Sequence, residues 1–161
     1  MDEEARRHLA ERFFQEAYRQ QSKGQYPEAV ELYKKSIESF PTAEAHTFLG
    51  WTYHFMGRID DAIAECHRAI AVDPTFGNPY NDIGAYLIEK GELDEAIPWL
   101  EQALKAPRYE SYCFPHMNLG RIYEAKREWL RARAEFQKAL QQNPKYTPAK
   151  QGFARIQGFL N

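Results

Sequence analysis

The sequence predicts an all-α fold in which antiparallel helix pairs stack on one another as a solenoid. Three observations predict it. One pattern of small, apolar and aromatic residues returns four times along the 161 residues. Within each copy the apolar positions recur at helical rather than strand spacing. Glycine or Asp-Pro punctuation falls where a helix must stop.

The second copy shows the unit most plainly. Counted from Ala43 as position 1, His46, Leu49, Gly50 and Tyr53 fall at 4, 7, 8 and 11, one stripe of a first helix, A. Gly57 at position 15 suits a helix C-terminus, where a residue at ease with positive φ is favoured. Asp60 or Asp61 is then expected to accept backbone N–H bonds as a second helix, B, begins. Ile63, Cys66, Ala69 and Ile70 share one face of B. Its alanines admit close backbone approach, and Asp73-Pro74 ends it.

The remaining chain follows the same frame. Residues 1–9 form a charged lead-in, expected to extend the first helix or to fray. The copy at 10–42 carries Phe13, Ala17, Gly24, Ala29, Tyr33 and Pro41, with Glu16 and Gln20 where later copies are apolar. The copy at 43–76 is regular. The copy at 77–112 carries Tyr80, Ile83, Gly84, Leu87, Gly91, Ala96, Leu100 and Ala103, and its end, APRYESY, is two residues longer than the period needs. Such a connection is a candidate contact point. The copy at 113–146 carries His116, Leu119, Gly120, Tyr123, Ala132, Phe136, Ala139 and Pro144. Residues 147–161 are expected to form a capping helix in which Phe153, Ala154 and Ile156 cover the open edge while Lys150, Gln151, Arg155 and Gln157 face water.

An aromatic, Leu-Gly, Tyr, Ala, aromatic, Ala and Pro spread over about 34 residues resembles the tetratricopeptide repeat family. The resemblance implies a right-handed superhelical solenoid and a non-enzymatic module for protein–protein interaction. In that family the A-helix face opposite the packing stripe lines a concave groove that holds segments of partner proteins. Transferred to this chain, those positions nominate Phe14, Tyr18, Phe48, Trp51, His54, Phe55, Asn81, Asp82, Met117, Asn118 and Arg121 as a peptide-binding groove. Phe48, Trp51 and Phe55 share a face at i, i+3 and i+7, with Phe14 and Tyr18 expected across from them. Large rings on a groove wall suit a partner's apolar anchors; the alternative is that they pack on one another, on the lead-in or in a homodimer. Asn81, Asp82, Asn118 and Arg121 form a polar half, able to grip a peptide backbone or a carboxylate, or else to pair among themselves.

Family members that bind acidic chaperone tails use a clamp of Lys at position 5 and Asn at 9, Asn at 6 of the next repeat, then Lys at 2 and Arg at 6. Here those places hold Phe14, Tyr18, Phe48, Asn78 and Asp82, or, one repeat later, Thr47, Trp51, Asp82, Phe114 and Asn118. Neither frame makes a clamp, so binding of chaperone tails is not expected.

Charge and composition narrow the classes further. A net charge of −2 gives no reason to expect nucleic acid, and no apolar run approaches a membrane span. The start, MDEEARRH, lacks a basic and apolar leader, and two cysteines give no secreted disulfide framework, so a cytoplasmic location is expected. Residues 43–112 are acidic and 113–146 basic, so Arg127, Arg131 and Arg133 could meet an acidic partner or another copy. P-loop, GxSxG, HExxH and CxxC motifs are absent, and Cys113 with His116, like Cys66 with His67, is a weak zinc signal. No enzyme activity, cofactor or metal is expected. Two competitors stand beside the interaction module: a self-assembling solenoid, homo-oligomeric through the rings or the charge dipole, and an accessory of pilus or secretion-complex assembly. The last follows from a resemblance in the longer connection, although no lipid-anchor cysteine lies near the start.

Overall fold

The computed structural model describes residues 1–161. It holds nine helices: α1 (Glu3–Ser22), α2 (Tyr26–Ser39), α3 (Ala43–Phe55), α4 (Ile59–Val72), α5 (Asn78–Glu89), α6 (Leu93–Lys105), α7 (Cys113–Ala125), α8 (Trp129–Gln142) and α9 (Thr147–Leu160). The lead-in is helical from Glu3, because the Asp2 carboxylate caps the Ala5 N–H at 2.7 Å and Glu3 and Glu4 sit at the positive end of the helix dipole.

Four turns within hairpins share one geometry. Gln25, Arg58, Glu92 and Glu128 each donate a backbone N–H five residues back, to Gln20, Tyr53, Leu87 and Tyr123, at 2.8–2.9 Å. The residue before each donor takes a left-handed conformation: Gly24, Gly57 and Gly91 at φ 77–79° and Arg127 at 61°. This is the Schellman closure, which satisfies helix-end carbonyls. The expectation for Asp60 and Asp61 is corrected at the following helix start. No side chain caps α4 there; the Asp61 carboxylate accepts from the Arg58 guanidinium at 2.8 Å.

The chain divides into two compact units, Met1–Pro79 and Tyr80–Asn161. In the first, α1 packs on α2, α2 on α3 and α3 on α4. Its core is Ala17, Ala29, Tyr33, Leu49, Ala62, Cys66 and Ala69, all essentially inaccessible. In the second, α7 packs on α8, and α9 lies against both. Phe136 is held on two sides there: a Cβ added at Gly120 would lie 2.6 Å from its ring and one at Gly152 2.7 Å. On α9 the buried residues are Ala149, Gly152 and Ile156, with Phe153 half-buried. Ala154 is exposed, contrary to expectation, because it falls just outside the 149–152–156 stripe.

Two hairpins carry the same His–Glu pair, buried in the first and half-buried in the second. His46 Nδ1 lies 2.7 Å from Glu65 Oε2, and Arg68 also reaches that carboxylate. Likewise His116 Nδ1 lies 2.7 Å from Glu135 Oε2, with Lys138 at 3.2 Å. Burial alone would raise the Glu135 carboxyl, but bonds from His116 and Lys138 hold it below the usual range. The hairpin between them places Tyr80 against Trp99 at the same two positions, with ring centroids 6.2 Å apart.

Candidate functional site

In the first unit the rings gather where α1 and α3 face each other. Phe14 meets Phe48 edge to face at 5.1 Å, Tyr18 meets Phe48 at 5.9 Å, and Trp51 lies 4.5 Å from Phe48. Beneath them is Tyr33 of α2, 5.6 Å from Phe14, with its hydroxyl donating to the Gln21 amide oxygen at 2.6 Å. Burial pushes the Tyr33 hydroxyl far above its ordinary pKa, so it stays a neutral donor. Edge-to-face contacts of this kind fix ring orientation as well as burying area.

Mutual packing does not seal the cluster. Beside Phe14 and Phe48 lies an open hollow of about 410 Å³ with Ala10 and Phe40 as its other apolar walls. Arg7, Glu11 and Glu44 stand among its polar lining. The Arg7 guanidinium rests 4.5 Å from the centre of the Phe40 ring and binds Glu3 at 2.6 Å. Ser36 of α2, also in the lining, donates to the Ala10 carbonyl at 2.8 Å and ties the two helices at the hollow's base. Tyr18, 49% exposed, stands outside the lining.

The other nominated residues divide. Phe55 is 56% exposed at the far end of α3, stacked on Tyr26 at 5.6 Å with His54 alongside at 5.9 Å. In the second unit Asn81 and Asn118 are buried, with the Asn118 amide donating to Asn81 Oδ1 at 3.1 Å. Arg121 donates to Asn118 Oδ1 at 3.2 Å. Asp82 is half-buried near Tyr109, whose hydroxyl is raised first by its own burial and then by the Asp82 charge. Met117 packs into the hydrophobic core, against the clusters of Cys113, Ala139 and Ala149 and of Phe136 and Ile156.

Of the hollow's lining the sequence nominated Phe14 and Phe48 as groove residues, and Arg7 and Phe40 are among those it did not. Arg7 lay in the lead-in and Phe40 in a connection. The signal for Arg7 was present, since Arg7, Ala10, Glu11 and Phe14 form one i, i+3, i+4, i+7 stripe that carries the face of α1 back by two turns. Phe40 carried no periodic signal, because it lies beyond the last turn of α2.

Cys113 is buried and its thiol is raised by that burial, while His116 is engaged with Glu135. No helix is long and apolar enough to cross a membrane.

Family models described as tetratricopeptide repeat match residues 14–75, 55–111 and 113–146. The chain is 30% identical over 89 residues to small glutamine-rich tetratricopeptide repeat-containing protein 2 of Mycosarcoma maydis, an alignment covering 55% of this chain and 25% of that protein. The chain thus spans about a quarter of the length of that curated relative. Among solved structures it is similar to PilF of Pseudomonas aeruginosa, with a TM-score of 0.87 at 22% identity over 94% of this chain and 69% of that one. It is also similar to PilW, described as a widely conserved type IV pilus biogenesis factor, with a TM-score of 0.85 at 20% identity, covering 94% and 70%. At such identities these likenesses carry the fold alone. Tetratricopeptide repeat proteins act as protein-interaction scaffolds. Matched by family models over most of its length and built of the helix pairs they describe, the chain belongs to the tetratricopeptide repeat family.

Proposed function

We propose that this protein is a non-enzymatic interaction module whose first unit receives a segment of a partner protein on the ring-bearing face of α1 and α3. The observation that carries the reading is the open hollow beside Phe14 and Phe48, where apolar area stays accessible although its rings are already oriented. Binding energy concentrates on a few aromatic anchors in places of this kind. The polar residues of α5 and α7 play a different part, since the Asn118 amide donates to Asn81 and its oxygen accepts from Arg121.

The test is partner capture from the host, comparing the wild type with Phe48→Ala and with Trp51→Ala combined with Phe55→Ala, each checked for helicity by circular dichroism. Folded variants should lose partners that the wild type retains. Retention of the same partners by both sinks the reading. A second reading, self-association, draws on Leu130 and Phe159, 65% and 63% exposed, the latter stacked on Trp129 at 4.7 Å. Light scattering over a concentration series decides it: a constant monomer mass excludes it.

A further inference from the structure

The hollow's chemistry narrows what can fill it, on the reading that the first unit binds a partner segment. Its walls of Ala10, Phe14, Phe40 and Phe48 leave room for one large apolar side chain. Its charged lining is unequal. Glu11 sets a carboxylate beside the single guanidinium of Arg7, which Glu3 already matches. Glu11 accepts from the Gln15 amide at 2.7 Å, a neutral donor that leaves its negative charge in place. The helix dipoles do not reverse the sign. The C-terminal end of α2, at Phe40, and the N-terminal end of α3, at Thr42 and Glu44, both border the hollow and bring opposite partial charges. An acidic segment would meet repulsion here, whereas a cation beside an apolar anchor would meet the Glu11 carboxylate.

We propose that the hollow takes a partner segment in which a large apolar anchor lies next to a lysine or arginine, the anchor entering between Phe14, Phe40 and Phe48 and the cation meeting Glu11. This is the opposite charge preference to that of a carboxylate clamp. Electrostatic complementarity of this sort sets partner choice and association rate more than total affinity.

Four fluorescein-labelled synthetic peptides of one Gly/Ser frame test it on the full chain, with Trp or Ala at the anchor and Lys or Glu beside it. Fluorescence anisotropy at low salt should show the Trp/Lys peptide binding about tenfold or more tighter than either Trp/Glu or Ala/Lys. Its advantage over Trp/Glu should shrink as salt is raised. Glu11→Lys, an exposed change that leaves the core alone, should reverse the Lys-over-Glu preference. Amide shifts on Trp/Lys binding should centre on Ala10, Phe14, Phe40 and Phe48. Equal binding of Trp/Lys and Trp/Glu, an unaltered preference in Glu11→Lys, or failure of every peptide to bind overturns the inference. Shifts centred instead on Tyr18, Trp51 and Phe55 also overturn it, but they leave the interaction-module reading standing. That broader reading fails separately, when ring variants capture the same host partners.

Discussion

Equivalent positions of the A helices are used in opposite ways by the two units. In the first, Phe14, Tyr18, Phe48 and Trp51 put rings there and leave a hollow open. In the second, Asn81, Asn118 and Arg121 put polar groups there and join them by hydrogen bonds. The hairpin interiors differ in a matching sense. The small residue of the A helix faces the Ala62 carbonyl and Cys66 Sγ at Gly50, but the side chain of Leu100 at Gly84 and the ring of Phe136 at Gly120. A shared repeat therefore dictates that a small residue must sit where A meets B. It does not dictate how tightly the contact is filled or what the wall beyond it carries.

The largest effect should come from adding one methyl group to each interior. Gly120→Ala would put its Cβ 2.6 Å from Phe136 Cε1, and Gly152 closes the other side of that ring, so neither partner can yield. Overpacking of this kind should cost about 3 kcal/mol. Gly50→Ala meets its nearest atom at 3.2 Å, and the better helix propensity of alanine offsets part of the crowding. It should leave stability within about 1 kcal/mol of wild type. Urea melts of the two variants check the contrast; equal losses would mean that the two hairpins are packed alike.

The next effect separates the two walls. Asn118→Leu removes the donor to Asn81 Oδ1 and the acceptor for Arg121 in a buried place, a loss of about 2 kcal/mol. It should leave peptide binding at the first unit unchanged. Tyr18→Ser, at a 49% exposed site that gives up one edge-to-face contact with Phe48, should do the reverse: melts within about 1 kcal/mol of wild type and weakened partner capture. If Asn118→Leu abolishes binding while Tyr18→Ser does not, the polar wall is the functional one.

What the sequence made legible follows the same division. The hairpins could be read because Leu49, Gly50, Tyr53 and Ala62 recur, in kind, in the two later copies, and the two small residues in the first as Ala17 and Ala29; recurrence is what packing between equivalent helices demands. The ring wall could be nominated because Phe48, Trp51 and Phe55 share a helical face. The hollow itself could not, since Arg7 enters it from the lead-in and Phe40 from just beyond the last turn of α2. Nor could the bond from Asn118 to Asn81, which spans 37 residues and depends on how α5 and α7 are placed. Met117 kept its periodic position and turned into the core, where α9 supplies Ala149 and Ile156 to the clusters it packs against. The exposed Ala154 and the uncapped start of α4 are local competitions, of stripe against stripe and of Arg58 against the backbone for Asp61.

The smallest effect concerns the turns, where three glycines and one arginine share a backbone conformation. Arg127 holds φ at 61° in a turn whose counterparts are Gly24, Gly57 and Gly91. The turn closes with the same two bonds, Arg127 N–H to the Glu124 carbonyl at 3.0 Å and Glu128 N–H to the Tyr123 carbonyl at 2.8 Å. The strain therefore comes from the β-carbon alone, and a left-handed L-residue costs roughly 1–2 kcal/mol. Glycine would relieve it while giving back some entropy to the unfolded chain, so Arg127→Gly should stabilise the protein by about 1 kcal/mol. Gly57→Ala, where a β-carbon would meet nothing within 4 Å, should lose a similar amount for the backbone reason only. Melting temperatures moving in opposite directions would show that the second unit tolerates a strained turn that the first avoids. If Arg127→Gly instead destabilises, the arginine side chain contributes more than its backbone costs.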